Sequence, residues 1–485
     1  MRGGRHSKQI STYGGIVPIL NKINKCGIRS AINKNLGKRV KQATYSYDDV
    51  ILSWVTTSLC KGERLLASAK LAKQLKKLPI VNLPSHDTIG RVFKSLATPT
   101  DTISNVVGSG KNMSIHDNEY NENERLSRLL IEVTKRSGAL RAGVPYTLHI
   151  DAMFVPTNCR TSKKKYSSSS KSGNEQTQGR YGFNPMICLI NGLVVYVSMR
   201  NGDVNAIFDV DGCLERCINL LAEYNITVNK VISDGASYTH KMIEMLYDRK
   251  TDFNIHMHFN PSFKRFIRKI DNCKNWKTTT IETVNHLITC EVGEVYYRMH
   301  DSKRLSRVIL ARTPDLETIK KNESSDEKAV RLYREAQMLK REKNNQLKSE
   351  NRGYKLGEWK HHEGYYYKII ITNDRVTSRE DLILEYNSRG GAERKFDLMK
   401  NDFGWKYPPF MQMNQNTVFM IVAAIANNIY RGLLPQFAKH IKQLRTNMRL
   451  PTFFDVFVNV ACWYNPKYKF YEMYDEEIAF EKFLT

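Results

Sequence analysis

Acidic residues are missing from the first 47 positions of this chain, which carry ten Lys and Arg before the first carboxylates, Asp48 and Asp49. The deficit persists over all 485 residues: 75 Lys plus Arg stand against 49 Asp plus Glu, a formal charge of +26. A field of that sign draws polyanions, nucleic acid first, with an anionic membrane surface as the rival. Long apolar runs are missing too. The longest, VFMIVAAIA from Val418, falls well short of the about 18 residues that mark a membrane span. The opening MRGGRHSKQISTYGG has no apolar core of the signal-peptide kind. A cytoplasmic protein without a membrane partner is therefore expected. Cysteine pairs are a third absence: the nine cysteines are scattered, odd in number and without a CxxC, as reduced thiols are. Cys213 and Cys217 stand four apart on an expected helix, but with no further ligand at metal-site spacing they read as core. What remains is ordinary, 41% hydrophobic and 26% charged, enough for two or three cores.

Helical periodicity dominates residues 1–140. YDDVILSWVTTSLCKG, ERLLASAKLAKQLKKL and PSHDTIGRVFKSLA are three basic segments, the last opening on the helix-start pair Pro84-Ser85. Arg91 and Lys94 take outward positions on it. The trio resembles a DNA-binding helix-turn-helix and equally suits a plain helical bundle. Residues 98–119 read as a linker, followed by a charged helix to about Arg136, so an all-α, basic N-terminal region is expected.

From Pro145 the period changes. YTLHIDAMFVPTN is strand-like, SKKKYSSSSKSGNEQTQGR is a low-complexity loop, and PMICLI-NG-LVVYVSMR is two β-rich runs joined by Asn191-Gly192, a strong hairpin signal. A helix, the strand VNKVISD, a second helix and the strand FNIHMHF follow. The order predicts an α/β domain, a mixed five-stranded sheet covered by helices, over 141–259. Residues 260–374 read as a β-rich insertion containing a Lys/Glu-rich helix near 316–355. The α/β domain resumes over 375–440, starting from a helix with the capping-box spacing Ser378-x-x-Asp381. Residues 441–485 read as a basic tail.

Two acids are out of place. Asp151 interrupts the apolar run LHI-D-AMFV, and Asp234 ends VISD before a glycine. A carboxylate in a buried strand is costly unless it meets a cation. Ligand sites in such sheets lie at the carboxyl ends of strands, and convergent acids suit a hard divalent ion such as Mg²⁺ or Mn²⁺. Either acid alone reads as well as a cap of the turn that follows it. A third acid is available in EYNSRGGAERKFDLMKNDFGW, where Tyr386, Arg389, Glu393 and Lys400 would share a stripe of roughly 60° on one continuous helix. A charged stripe is also what a solvated face presents. The pair Gly390-Gly391 sits poorly in such a helix, each glycine costing about 1 kcal/mol relative to alanine. His256 and His258 are read as facing opposite sides of the last strand, unable to share one metal, and hence as structural; Asp397 reads as a substitute ligand one turn beyond Glu393.

The spacing Y-(2)-R-(3)-E-(6)-K, complete here as Tyr386, Arg389, Glu393 and Lys400, resembles the YREK signature of a branch of DDE transposases from bacterial insertion sequences. Asp151 and Asp234 are similar to that family's first and second catalytic aspartates, and the long stretch between Asp234 and Glu393 to the β-rich insertion this branch carries. The resemblance implies a ribonuclease-H-like catalytic domain in which Asp151, Asp234 and Glu393 hold two Mg²⁺ ions, with Mn²⁺ as substitute. It implies double-stranded DNA as partner, both terminal inverted repeats and target, with the chain acting as a homodimer in the bacterial cytoplasm at the nucleoid. Excision in this branch commonly passes through a DNA hairpin. Tyr386, Arg389 and Lys400 would grip phosphates near a flipped end, and an aromatic of the insertion, Trp359 or behind it Trp276, would stack on the extruded base.

Three other functions fit parts of the sequence. A ribonuclease-H-like nuclease without strand joining shares every acid; a catalytically silent DNA-binding protein or a basic RNA-binding scaffold shares the charge. Strand transfer from pre-cut 3′-OH ends separates the first, and Mg²⁺-dependent cleavage the other two.

Overall fold

The computed structural model describes residues 10–79, 82–107, 114–157, 181–258, 262–282, 287–300, 302–315, 318, 328, 332, 359–387, 389–467 and 470–474. The chain forms two compact units, Met1–Asn229 with Gly391–Thr485, and Lys230–Gly390.

The first unit begins with α1 (Ile16–Lys25), α2 (Ile28–Leu36), α3 (Tyr47–Leu59), α4 (Ala67–Leu75) and α5 (His86–Ser95). Serines start two of them. Ser46 Oγ accepts the Asp49 N–H at 3.3 Å while Asp49 Oδ2 accepts the Ser46 N–H at 3.0 Å, a reciprocal capping box, and Ser85 Oγ accepts the Thr88 N–H at 3.2 Å. The expected linker is instead a hairpin, β1 (Asp101–Val107) against β2 (Ser114–Asn121), so the first 140 residues are not all helical. Apart from Asn121, which is buried where β2 ends, its described positions on both strands are exposed or half-buried, and a strand wet on both faces carries no period-2 apolar pattern to read. Helix α6 (Glu124–Arg136) follows, with Asn123 Oδ1 capping the Leu126 N–H at 3.1 Å.

Next come β3 (Pro145–Ala152), the short ladder of β4 (Val155–Pro156) with β5 (Gly182–Phe183), β6 (Met186–Ile190) and β7 (Leu193–Arg200). Strands β3, β6 and β7 form the predicted antiparallel meander, and β2 adds to its edge through Tyr120↔Arg200 and Asn121↔Met199. The β6–β7 turn places Asn191 and Gly192 at φ 52° and 75°, the left-handed pair a type I′ turn requires. Helix α7 (Val210–Glu223) buries Cys213 and Cys217, in keeping with a packing role.

The second unit takes up the chain within β8 (Thr227–Ser233), followed by α8 (His240–Asp248) and β9 (Asp252–His256). Strands β8 and β9 are parallel, from Lys230↔Asp252 to Ser233↔Ile255, with α8 as the crossover. After α9 (Ser262–Asn272) come β10 (Lys277–Glu282), β11 (Leu287–Tyr297), β12 (Ser306–Pro314), β13 (Lys360–His362) and β14 (Tyr365–Thr372), all antiparallel to their neighbours. Strand β14 returns to β9 through Ile370↔His256 and Thr372↔Asn254, so the stretch read as an insertion continues one mixed sheet. The charged helix expected near 316–355 lies almost wholly outside the described residues. Helix α10 (Arg379–Asn387) starts as the sequence predicts: Ser378 Oγ accepts the Asp381 N–H at 3.0 Å. It closes over a core that includes Ile232, Val292, Ile309, Ile370, Leu382 and Tyr386.

The chain re-enters the first unit in α11 (Gly390–Asp402), continues in α12 (Met413–Ala438), and ends with α13 (Leu450–Phe453) and the hairpin of β15 (Ala461–Asn465) and β16 (Phe470–Tyr474). The expected tail is thus partly folded, and Cys462 bridges back to Ser11. By length and composition α12 would cross a membrane, yet 94% of its apolar window is buried inside the protein. Asn428 of α12 donates to Thr134 Oγ1 of α6 at 2.8 Å and to the Val194 carbonyl of β7 at 2.7 Å, pinning the helix between them. Residues of α1–α6, the meander, α11 and α12 share one hydrophobic core, so the N-terminal helices are packed into this unit.

Candidate active site

In the first unit, β3 alternates buried Leu148 and Ile150 with more open positions, and Asp151 falls at its carboxyl end opposite Ile187 of β6. The Asp151 carboxylate accepts the N–H of Ala152 at 2.8 Å and is partly exposed. Helix α11 brings Glu393 in its first turn, with Asp397 and Lys400 further along; the Glu393 side chain lies outside the described residues. Phe396 and Met399 of α11 are buried in the common core, and the Lys395 stem lies on the β6–β7 turn, where a Cβ on Gly192 would stand 2.5 Å from Lys395 Cε. Helix α11 is therefore fixed to the meander by packing. Burial pulls the Lys400 ammonium below its ordinary pKa, against the opposing effect of Asp397. Arg91 and Lys94 are exposed on α5, with Lys94 Nζ 5.8 Å from the Phe410 ring centroid.

In the second unit, Asp234 follows the last residue of β8 and starts a single 3₁₀ turn, Gly235–Ser237, by accepting the Ala236 N–H at 3.0 Å. Its other oxygen faces the Arg389 guanidinium at 3.5 Å. A Cβ on Gly235 would stand 2.5 Å from His258 Cε1, so the glycine lets the imidazole lie directly against the turn that bears Asp234. The rings of His256 and His258 are 6.4 Å apart, and His256 lies 6.3 Å from the Tyr386 ring.

One continuous stripe through the signature is not what forms. Helix α10 ends at Asn387, Arg389 sits in a turn with its N–H donated to the Tyr386 carbonyl at 3.0 Å, and α11 starts at Gly390. The glycine pair opens the second helix, which avoids placing two poor helix formers mid-helix. Glu393 and Lys400 share α11, whereas Tyr386 and Arg389 precede it. Tyr386 is 1% exposed within the second unit's core, a position unlike that of a phosphate-gripping surface phenol. Trp359 is 8% exposed in the same core, so its ring face is not open to a base. Trp276 is covered by the Arg312 guanidinium at 4.0 Å and donates Nε1–H to Asp271 Oδ1 at 2.7 Å.

Lys368 was not singled out from the sequence, and Gly235 and His258 were given no part in the site. Lys368 interrupts the apolar run of β14 in GYYYKIIIT, the same kind of misfit that exposes Asp151, and this was the available signal. The two histidines do not face opposite sides: two residues apart in extended chain they fall on one side, with rings 6.4 Å apart.

Asp151 and Asp234 present partly exposed carboxylates at strand ends, hard oxygen donors of the kind Mg²⁺ and Mn²⁺ take. Among the described residues no three His, Cys, Asp or Glu side chains form a metal-binding group, and the Glu393 side chain is not one of those residues. No curated protein matches the sequence. A solved structure, described as a cryo-EM structure of piggyBac transposase synaptic complex with hairpin DNA, is similar at a TM-score of 0.39 and 9% identity, over 92% of this chain and 79% of that chain. The family described as transposase DDE domain matches residues 143–429, a span from just before β3 into α12 that contains Asp151, Asp234 and Glu393. Over half of its length, the chain belongs to the transposase DDE domain family.

Proposed function

We propose that this protein is a DNA transposase of the YREK branch, with a ribonuclease-H-like catalytic domain. It binds the terminal inverted repeats of an insertion sequence as a homodimer, cleaves at the element's ends and joins the 3′-OH ends to target DNA. The observation that carries this is the placement of Asp151 and Asp234 at strand carboxyl ends, with Glu393 in the first turn of α11, all inside the family match.

Asp151, Asp234 and Glu393 are the residues that would hold divalent ions, Mg²⁺ or Mn²⁺. When bound, such ions supply Lewis-acid activation of the attacking oxygen and stabilisation of the leaving one. The chain's own contribution is positional. Backbone N–H groups of Ala152 and Ala236 orient the two aspartates, Arg389 and Lys400 supply positive charge for phosphate, and Tyr386 serves from the core by fixing Lys368 and the turn that carries Arg389. The net charge of +26 provides the long-range attraction for DNA.

The test is strand transfer. Purified protein, Mg²⁺ and duplexes ending in pre-cut terminal repeats with free 3′-OH groups should yield joined products on a supercoiled target plasmid. Cleavage without joining would leave the nuclease function, and binding without either would leave a DNA-binding protein.

A further inference from the structure

Among its contacts, the Asp234 carboxylate makes two of different character. One oxygen accepts the Ala236 N–H at 3.0 Å, a local bond that holds the turn after β8. The other faces the Arg389 guanidinium at 3.5 Å, an ion pair with looser geometry than a hydrogen bond. The guanidinium comes from the turn between α10 and α11, anchored by the Arg389 N–H on the Tyr386 carbonyl and by the buried Tyr386 ring. Its side chain is less exposed than the acid it faces, 11% against 28%, so this cation reaches out of the protein toward the open carboxylate. A planar guanidinium pairs as readily with a phosphate as with a carboxylate. A dication on the same oxygen would stand a few ångströms from it and repel it.

Resting on the metal-dependent function above, we propose that Arg389 is an exchangeable partner of Asp234. The guanidinium and a divalent ion compete for the outer carboxylate oxygen, and the guanidinium that gives way pairs with a phosphate of the DNA backbone. Each event then favours the other, since a coupling between two binding equilibria is reciprocal. Ion loading at Asp234 is thereby tied to a DNA end being held. Arg389 in this role is a positioning residue with a measurable effect on ion affinity.

Calorimetric titration of the full chain with Mn²⁺, without DNA, tests the competition. Arg389→Met should bind Mn²⁺ at least about fivefold more tightly than wild type; equal or weaker binding overturns the proposal. Asp234→Asn in the same titration tests the premise separately, because an unchanged Mn²⁺ affinity there refutes Asp234 as a ligand whatever Arg389 does. Arg389 is buried and its replacement can disturb folding, so wild type supplies a second measurement. Phenylglyoxal labelling of arginines, mapped by peptide mass spectrometry, should rise at Arg389 by at least about fivefold when saturating Mg²⁺ is added, following the same coupling. Labelling that stays constant overturns the exchange.

Discussion

Lys368 Nζ lies 4.5 Å from the centroid of the Tyr386 ring and donates to Asn387 Oδ1 at 2.9 Å. Lys368 is 7% exposed, so ring face and amide replace much of the water its ammonium has lost; a desolvated cation–π contact is worth about 2 kcal/mol. Tyr386→Phe keeps the ring and should shift the thermal midpoint by only a few degrees. Tyr386→Ala removes the ring and opens a cavity in the second unit, costing about 3–5 kcal/mol. Circular dichroism melts of the two variants decide it: an Ala variant as stable as wild type would contradict the core position of Tyr386.

Gly404 terminates α11 at φ 78°, and a Cβ there would stand 2.3 Å from the Glu63 carbonyl oxygen. The next residue, Trp405, donates its N–H to Met399 O at 3.1 Å, closing the helix end in the manner of a glycine C-cap. Gly404→Ala meets both a left-handed backbone and another segment's backbone, for a combined cost of about 2–5 kcal/mol. Urea denaturation should show that loss. Because α11 carries Glu393, cleavage should fall with it, and unaltered stability would show that the Glu63 segment yields freely.

Local chemistry made much of this legible. Asn191-Gly192 specified its turn, Ser85 and Ser378 specified helix starts, and Asp151 and Asp234 stood out as acids within or ending apolar strands. The hairpin of β1 and β2 did not, because strands wet on both faces carry no alternation. The break before Gly390 was signalled by the glycines, but the burial of Tyr386 and Trp359 depends on strands distant in sequence. The pairing of Asp234 with Arg389 was hidden for the same reason: it forms only once β8 and the end of α10 are packed on β9 and β14.

Asp374 gives the second unit an acid-sensitive element. Burial pushes its pKa up, but the Thr377 N–H and hydroxyl, the Val376 N–H and Lys230 more than offset this and hold it at about 2, below the reference 3.8. A depressed carboxylate stabilises the fold above its unfolded pKa, and the contribution disappears as pH falls through the folded value. Between pH 5 and pH 2 the stability gap between wild type and Asp374→Asn should therefore narrow by about 2 kcal/mol. Urea midpoints at the two pH values measure it; a gap that stays constant would mean the hydrogen bonds do not depress the acid.

The acid substitutions can be chosen to spare the fold. Asn at 151 or 234 retains an oxygen to accept the Ala152 or Ala236 N–H, so the strand ends stay in place while the anionic charge is lost. Asp151→Asn, Asp234→Asn and Glu393→Gln should each reduce Mg²⁺-dependent cleavage by at least about a thousandfold, an effect of transition-state size, near 4 kcal/mol. Terminal-repeat binding, measured by gel shift, should remain within a few fold of wild type. Normal cleavage by Asp234→Asn would show that the metal ligands lie elsewhere.

Arg91 and Lys94 stand one turn apart on α5, both exposed, while Val92 and Phe93 between them are buried against the common core. Removing either charge leaves that packing intact, so Arg91→Ala and Lys94→Ala should keep the wild-type melting temperature. Should the two side chains contact DNA phosphate, each substitution weakens binding uniformly across sequences and lowers the slope of log affinity against log salt by about 1. A loss confined to one repeat sequence would indicate base contact instead, with α5 lying in a groove. An unchanged slope in both variants would remove α5 from the DNA interface and leave the positive field to other parts of the surface.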